Sequence, residues 1–186
     1  ERQLAAWDVG TVTLVGGSMG GVVAQHLVLR HPSRVARLLL VATGAFTANE
    51  AVALEKADAM AAAPWNDATV TPIVDGFFLH APDPASHARF RAIALSASQP
   101  AAVEAARSNA RNQTMEALSS IRVPTMIVQG RHDKARTPEH GALMQARIAG
   151  STLAVIEDAG HTPQLEQPGT FHEVALPFLA GGGSNA

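Results

Sequence analysis

Residues 11–21 read Thr11-Val12-Thr13-Leu14-Val15-Gly16-Gly17-Ser18-Met19-Gly20-Gly21. The first five are β-branched or apolar and read as a short strand, Thr11 to Val15. From Gly20 to His31 the pattern changes to helical spacing, with Val22, Val23, His26, Leu27 and Arg30 in phase and Pro32 just past the end. Ser18 therefore sits in a G-x-S-x-G turn between a strand and a helix. Such a turn lifts the serine hydroxyl above the sheet edge, strains the serine's own dihedrals and needs small neighbours. Gly16, Gly17, Gly20 and Gly21 are expected to provide that room. The Met19 backbone N–H, at the helix N-terminus, is expected to face a developing oxyanion. A dinucleotide fingerprint fails here, because Ser18 occupies the place of its second glycine and no acidic residue follows about 20 positions on. A phosphate-binding P-loop fails too, because Val22-Val23 stands where Lys-Ser/Thr is needed. A turn with an inert serine remains the competing reading of the motif alone.

A serine hydroxyl is a poor nucleophile until a base removes its proton, and the base needs an orienting acid. Pro124 to Val128 reads as a further strand, and Gly130-Arg131-His132-Asp133 follows it. Thr152 to Ile156 reads as another, followed by Asp158-Ala159-Gly160-His161. In a parallel sheet the loops after the strands share one edge, so Ser18, Asp133 and His161 can converge. A free imidazole titrates near ~6.5 and must be neutral to accept a proton, so acylation is expected to fade in acid. Asp133 taken alone suits a turn former equally well. Glu157 and Asp158 precede His161 at a strand end and are expected to set the turn. His132 is expected to make a loop or cap contact. His26, His31, His80, His87, His140 and His172 lack metal-ligand spacing and are read as surface or packing residues.

The remaining elements complete an α/β pattern. Val35 to Ala42 is a near-continuous apolar run, suited to a strand buried on both faces. A helix starts at Thr137-Pro138-Glu139 and closes at Gly150, and a last one runs from Pro168 to Leu179, where Pro177 is expected to break or kink its end. Between the second strand (Val35 to Ala42) and the third (Pro124 to Val128), residues 44–120 carry helical runs at Ala51 to Ala63, Ala85 to Ser96 and Ala101 to Leu118, with Asp83-Pro84 as a cap and first position. The expected fold is α/β: a parallel sheet of four strands with flanking helices and a helical insertion. The core comprises 1–43 and 121–180, the helical cap 44–120, and 181–186 is a flexible tail. Trp65, Phe77, Phe78 and Phe90 are expected to form plain core of the insertion rather than an acyl pocket.

Composition narrows the function. The 186 residues suffice for one domain. With 47% hydrophobic and 16% charged residues the chain is not a disordered one. No apolar run reaches membrane-span length. A formal net charge of −2 argues against a nucleic-acid partner. Zero cysteines exclude a disulfide scaffold, a thiolate metal site and a cysteine nucleophile. No cofactor and no metal are expected. The start shows no signal-like segment and is expected to be trimmed; a cytoplasmic location is expected.

Four stretches resemble the α/β-hydrolase family with a helical cap. Residues 7–21 are similar to its helix, fifth strand and nucleophile elbow, and Arg34 to Ala42 to its sixth strand. Val123 to Asp133 is similar to its seventh strand and acid loop, and Asp158 to Pro168 to its histidine loop. The order Ser18, Asp133, His161 is the family's order. Some members carry the acid after the sixth strand, but Thr43-Gly44-Ala45 offers none there. The resemblance implies a serine hydrolase of carboxylic esters or lactones, with Ser18 as nucleophile, His161 as base, Asp133 as orienting acid and Met19 as an oxyanion donor. Thr137 to Gly141 and the cap resemble lactonases of the enol-lactone type. A carbon–carbon bond hydrolase of the same fold is the alternative, and an inactive chain serving as a binding or assembly subunit is another. The family's first strands and its His-Gly oxyanion loop have no counterpart here. Thr11 to Val15 is therefore expected to be a bare edge, pairing with a second copy to form a homodimer, with Leu4 and Trp7 packing across its axis and with weakened activity.

Overall fold

The computed structural model describes residues 9–181. The expectations placed on Glu1 to Trp7, including the Leu4 and Trp7 contact, and on residues 182–186 fall outside that range.

Four strands, β1 (Val12–Gly17), β2 (Val35–Val41), β3 (Thr125–Gly130) and β4 (Thr152–Ile156), form one parallel sheet in the order β1-β2-β3-β4. The strand β2 decides the layering. Its Leu38, Leu39 and Leu40 are completely buried, and successive side chains face opposite sides of the sheet. Leu38 and Leu40 join Ile127 under helix α1 (Met19–Arg30) and near Met144, whereas Leu39 and Val41 join Val128 and Ile156 on the other face. Both faces thus need covering by helices, as crossover connections in a parallel sheet provide.

Helices α2 (Glu50–Ala62), α3 (Asp67–Asp75), α4 (Pro84–Ser96) and α5 (Gln99–Ala110) lie between β2 and β3. Helix α6 (Pro138–Arg147) precedes β4 and carries Met144 into the first core cluster. After β4 come the four-residue α7 (Pro163–Glu166) and α8 (Pro168–Leu179), which brings Phe171, Val174, Ala175 and Phe178 to the second cluster. Asp83 caps α4 as expected, its carboxylate accepting from the Ala85 and Ser86 N–H groups.

The structure corrects several expectations. The run from Ala101 to Leu118 is not one helix. It ends at Ala110, and a 3-10 turn occupies Met115–Ser120. The intervening residues bond back toward the β2 exit instead. Gln113 bridges Phe46, the Thr114 N–H donates to the Ala45 carbonyl at 2.7 Å, and the Thr114 hydroxyl donates to the buried Gln25 amide at 2.5 Å. Helix α3 was not legible because Pro72 interrupts its pattern, yet Asn66 and Thr69 cap it reciprocally. Pro177 does not break α8, which runs on to Leu179. It sits in the last turn, where only one internal bond is lost.

The glycines of the elbow are not equivalent. A Cβ on Gly16 would lie 2.6 Å from the Gly20 carbonyl oxygen, and one on Gly21 2.6 Å from the Thr43 side chain. Gly20 has nothing within 4 Å, and Gly17 only the Val41 oxygen at 3.9 Å. Room is therefore needed at Gly16 and Gly21, not at all four positions. Gly16→Ala is expected to cost about 1–3 kcal/mol or more through overpacking against backbone. Gly20→Ala, in a helix with open space, is expected to be neutral or stabilising by up to ~1 kcal/mol. Thermal unfolding of both variants checks this; equal midpoints would contradict it.

Candidate active site

Ser18 follows β1, Asp133 lies in the loop after β3, and His161 lies in the loop after β4. All three loops leave the C-terminal ends of parallel strands, so they meet on one sheet edge. The structure brings the three side chains together in a line. His161 Nε2 is 2.7 Å from Ser18 Oγ, and His161 Nδ1 is 2.7 Å from Asp133 Oδ2. The Asp133 side chain is 0% exposed and that of His161 8%.

Each member is held by its own local geometry. Ser18 occupies the N-cap of α1 with φ 48°, ψ −121°, and its hydroxyl makes no capping bond. It is turned to His161 instead. A non-glycine residue at such a φ stores on the order of 1–3 kcal/mol, so its surroundings must over-determine it. They do: the Ser18 N–H donates to the Val41 carbonyl at 2.9 Å, and the Thr43 hydroxyl donates to the Ser18 carbonyl at 2.7 Å. Met19 opens the helix, so its backbone N–H has no intrahelical acceptor and lies beside the serine.

The Asp133 carboxylate is oriented from its own loop. Oδ1 accepts from the Ala135 N–H at 2.8 Å and the Arg136 N–H at 2.9 Å, which leaves Oδ2 for His161. A carboxylate only accepts, so Nδ1 is the donor to Oδ2, and in the neutral imidazole Nε2 is then the acceptor facing Ser18 Oγ. Burial pushes the Arg136 guanidinium below its ordinary value, and the Asp133 charge opposes that shift. The acid and histidine loops touch directly. A Cβ on Gly130 would lie 2.0 Å from the Gly160 carbonyl oxygen, and the His132 N–H donates to the Ala159 carbonyl at 2.9 Å.

A cavity of about 240 Å³ opens onto Ser18 and His161, walled by Gly17, Val41, Ala42, Phe77, Thr162 and Gln164. Phe77 thus belongs to this wall and not only to the insertion's core. Its ring lies 5.4 Å from the His161 ring, and its carbonyl accepts from the His161 N–H at 3.0 Å. Phe78 and Phe90 pack edge to face at 5.7 Å and do not line this cavity, and Trp65 lines a separate hollow with Met60 and Ile73. The Gln164 Oε1 atom is buried without a hydrogen-bond partner among the described residues. A larger cleft of about 660 Å³, between α1 and α5, includes Met19 but not Ser18.

The other candidates are engaged elsewhere. Glu157 pairs with Arg131 at 2.6 Å and Asp158 with His80 at 2.8 Å, so neither faces His161. They do more than shape the turn, since Asp158 also accepts from the Gln167 amide at 2.9 Å. The bond to Asp158 raises the His80 pKa above its usual value. His140 stacks on Phe46 at 5.2 Å, and burial pushes its pKa down. His132 is exposed. Among the described residues no cluster of three or more His, Asp or Glu could hold a metal ion. No helix there is long and apolar enough to cross a membrane. Sequence reasoning missed Phe77, Gln164 and Glu166 as residues around the site. The latter two stand three and five places after His161, a proximity that singled out neither.

Comparison with known proteins places the chain. A model of the Alpha/beta hydrolase family matches residues 1–174. A pimeloyl-[acyl-carrier protein] methyl ester esterase of Neisseria meningitidis serogroup B is 31% identical over 188 residues, covering 96% of this chain and 73% of that protein. A 2-hydroxy-6-oxononadienedioate/2-hydroxy-6-oxononatrienedioate hydrolase of Escherichia coli is 27% identical, covering 93% of this chain and 64% of that protein. The crystal structure of a hydrolase from Pseudomonas aeruginosa superposes with a TM-score of 0.88 at 28% identity, covering 96% of this chain and 68% of that one.

Proposed function

Because the chain belongs to the alpha/beta hydrolase family, we propose that it hydrolyses carboxylic esters or lactones through an acyl-enzyme on Ser18. The observation that carries this is the unbroken line from Asp133 Oδ2 through His161 to Ser18 Oγ, at 2.7 Å on each side of the imidazole.

In the first half-reaction Ser18 Oγ attacks the ester carbonyl carbon while its proton passes to His161 Nε2. The imidazolium that forms is held against the buried Asp133 carboxylate. Negative charge develops on the carbonyl oxygen, and the Met19 N–H donates to it. One such donor is worth on the order of 10²–10³ in turnover. Collapse breaks the bond to the alkoxy group, which leaves with the proton from Nε2. Water then repeats the sequence on the acyl-enzyme, with Nε2 again as base, and releases the acid and free Ser18.

The cavity of about 240 Å³ favours small acyl or alkoxy groups. The Neisseria relative, named for a pimeloyl-[acyl-carrier protein] methyl ester, supports a small alkoxy group. A second reading is carbon–carbon cleavage of a 2-hydroxy-6-oxo dienedioate, supported by the name of the Escherichia coli relative. Turnover of methyl and p-nitrophenyl esters without cleavage of such a diketone supports the first reading; the reverse supports the second. A chain with neither activity and no labelling by a fluorophosphonate supports a binding or assembly role.

Among the described residues no strand pairs with the outer edge of β1, whose Thr13 and Val15 side chains are exposed, and this supports self-association. A second β1 running antiparallel would continue the sheet across a two-fold axis. Sedimentation at micromolar concentration is expected to give a dimer, and a monomer would overturn this.

A further inference from the structure

We infer that Glu166 is a positioning residue: its one carboxylate fixes the backbone on both sides of His161 and ties the end of α3's connection, residues 77–80, to the same loop. The inference rests on the assignment of His161 as the base. Glu166 closes the four-residue helix α7, immediately after the histidine loop. Its Oε1 accepts from the Gly160 N–H at 2.9 Å, the Thr162 N–H at 3.2 Å and the Thr162 hydroxyl at 3.0 Å. Gly160 and Thr162 are the neighbours of His161. Its Oε2 accepts from the Leu79 N–H at 2.6 Å and the His80 N–H at 3.4 Å. A carboxylate accepts in several directions and donates in none, so it suits a place where five donors converge.

The same strap reaches the base by two further contacts. The His161 N–H donates to the Phe77 carbonyl at 3.0 Å, and the Phe77 ring lies 5.4 Å from the imidazole. Close approach leaves no slack: a Cβ on Gly160 would lie 2.9 Å from the Leu79 nitrogen. The nearby His80–Asp158 pair is about two-thirds exposed on both sides and adds little. One wall of the cavity and the catalytic base therefore move as one piece, with Glu166 as the joint. A substrate that displaces Phe77 also displaces His161.

The test is Glu166→Gln, which keeps the volume and replaces one accepting oxygen with a donor. Whichever way the amide turns, it faces one set of N–H groups with N–H groups of its own. The expected result is a cooperative thermal transition and a loss of roughly 10–10²-fold in kcat, the scale of a misplacement of about 1 Å. The pH–rate profile and the NMR signal of the His161 Nδ1 proton are expected to shift with it. Unchanged kcat, pH profile and Nδ1 signal would overturn the inference. In the unaltered protein, hydrogen exchange is expected to protect the Leu79 and Gly160 amides together. Free exchange at Leu79 beside a protected Gly160 would also overturn it, even if Glu166→Gln fails to fold. Absence of esterase activity in the unaltered protein strikes instead at the proposed function, and leaves the exchange result to decide the tie.

Discussion

Ser18→Ala is expected to lower ester turnover by on the order of 10⁶ while leaving the fold intact. Removing a serine nucleophile eliminates the covalent path, and the residue then lost is one of a set that acts as a unit. The structure says why the effect should be confined to chemistry. The Ser18 hydroxyl caps nothing in α1 and bonds to His161 at 2.7 Å. The backbone bonds that hold the strained turn, to Val41 and from Thr43, use the Ser18 main chain and survive the substitution. Circular dichroism and the unfolding midpoint should therefore stay near those of the unaltered protein. An alanine variant that keeps more than a small part of its turnover would place the nucleophile elsewhere.

Asp133→Asn is expected to cost on the order of 10⁴ in turnover, and the local geometry gives a specific reason. Two backbone N–H groups, from Ala135 and Arg136, point at Oδ1 at 2.8 and 2.9 Å. They fix the amide oxygen of an introduced asparagine at that position. The amide nitrogen then faces His161 Nδ1 and donates to it. That forces the imidazole proton onto Nε2, the atom that must accept from Ser18. The variant keeps its shape and loses its base. Steady-state kinetics on an activated ester reads the loss directly; turnover within tenfold of the unaltered protein would show that Asp133 does not set the tautomer.

The elements that local chemistry specifies were legible in the sequence. The strand β4 and helix α8 have the expected bounds, and β2 differs by one residue, because apolar period and proline position fix them. The elbow was legible for the same reason, since a serine at positive φ between a strand and a helix needs Gly16 and Gly21. What was hidden depends on contacts between distant residues. The break after Ala110 follows from Thr114 bonding to Ala45 and Gln25. Phe77 is drawn to the site by an accepting carbonyl and a ring contact 84 positions away in sequence from His161. Glu166 was in plain view, but its role depends on Leu79 and His80, which no local pattern connects to it.

The most direct test of the central claim is to treat the folded protein with a fluorophosphonate and locate the adduct by peptide mass spectrometry. A phosphonyl group on Ser18, formed quickly in the unaltered protein and far more slowly in His161→Ala, is the result the relay from Asp133 to Ser18 predicts. An adduct on another residue, or labelling of Ser18 at the same rate without His161, would contradict it.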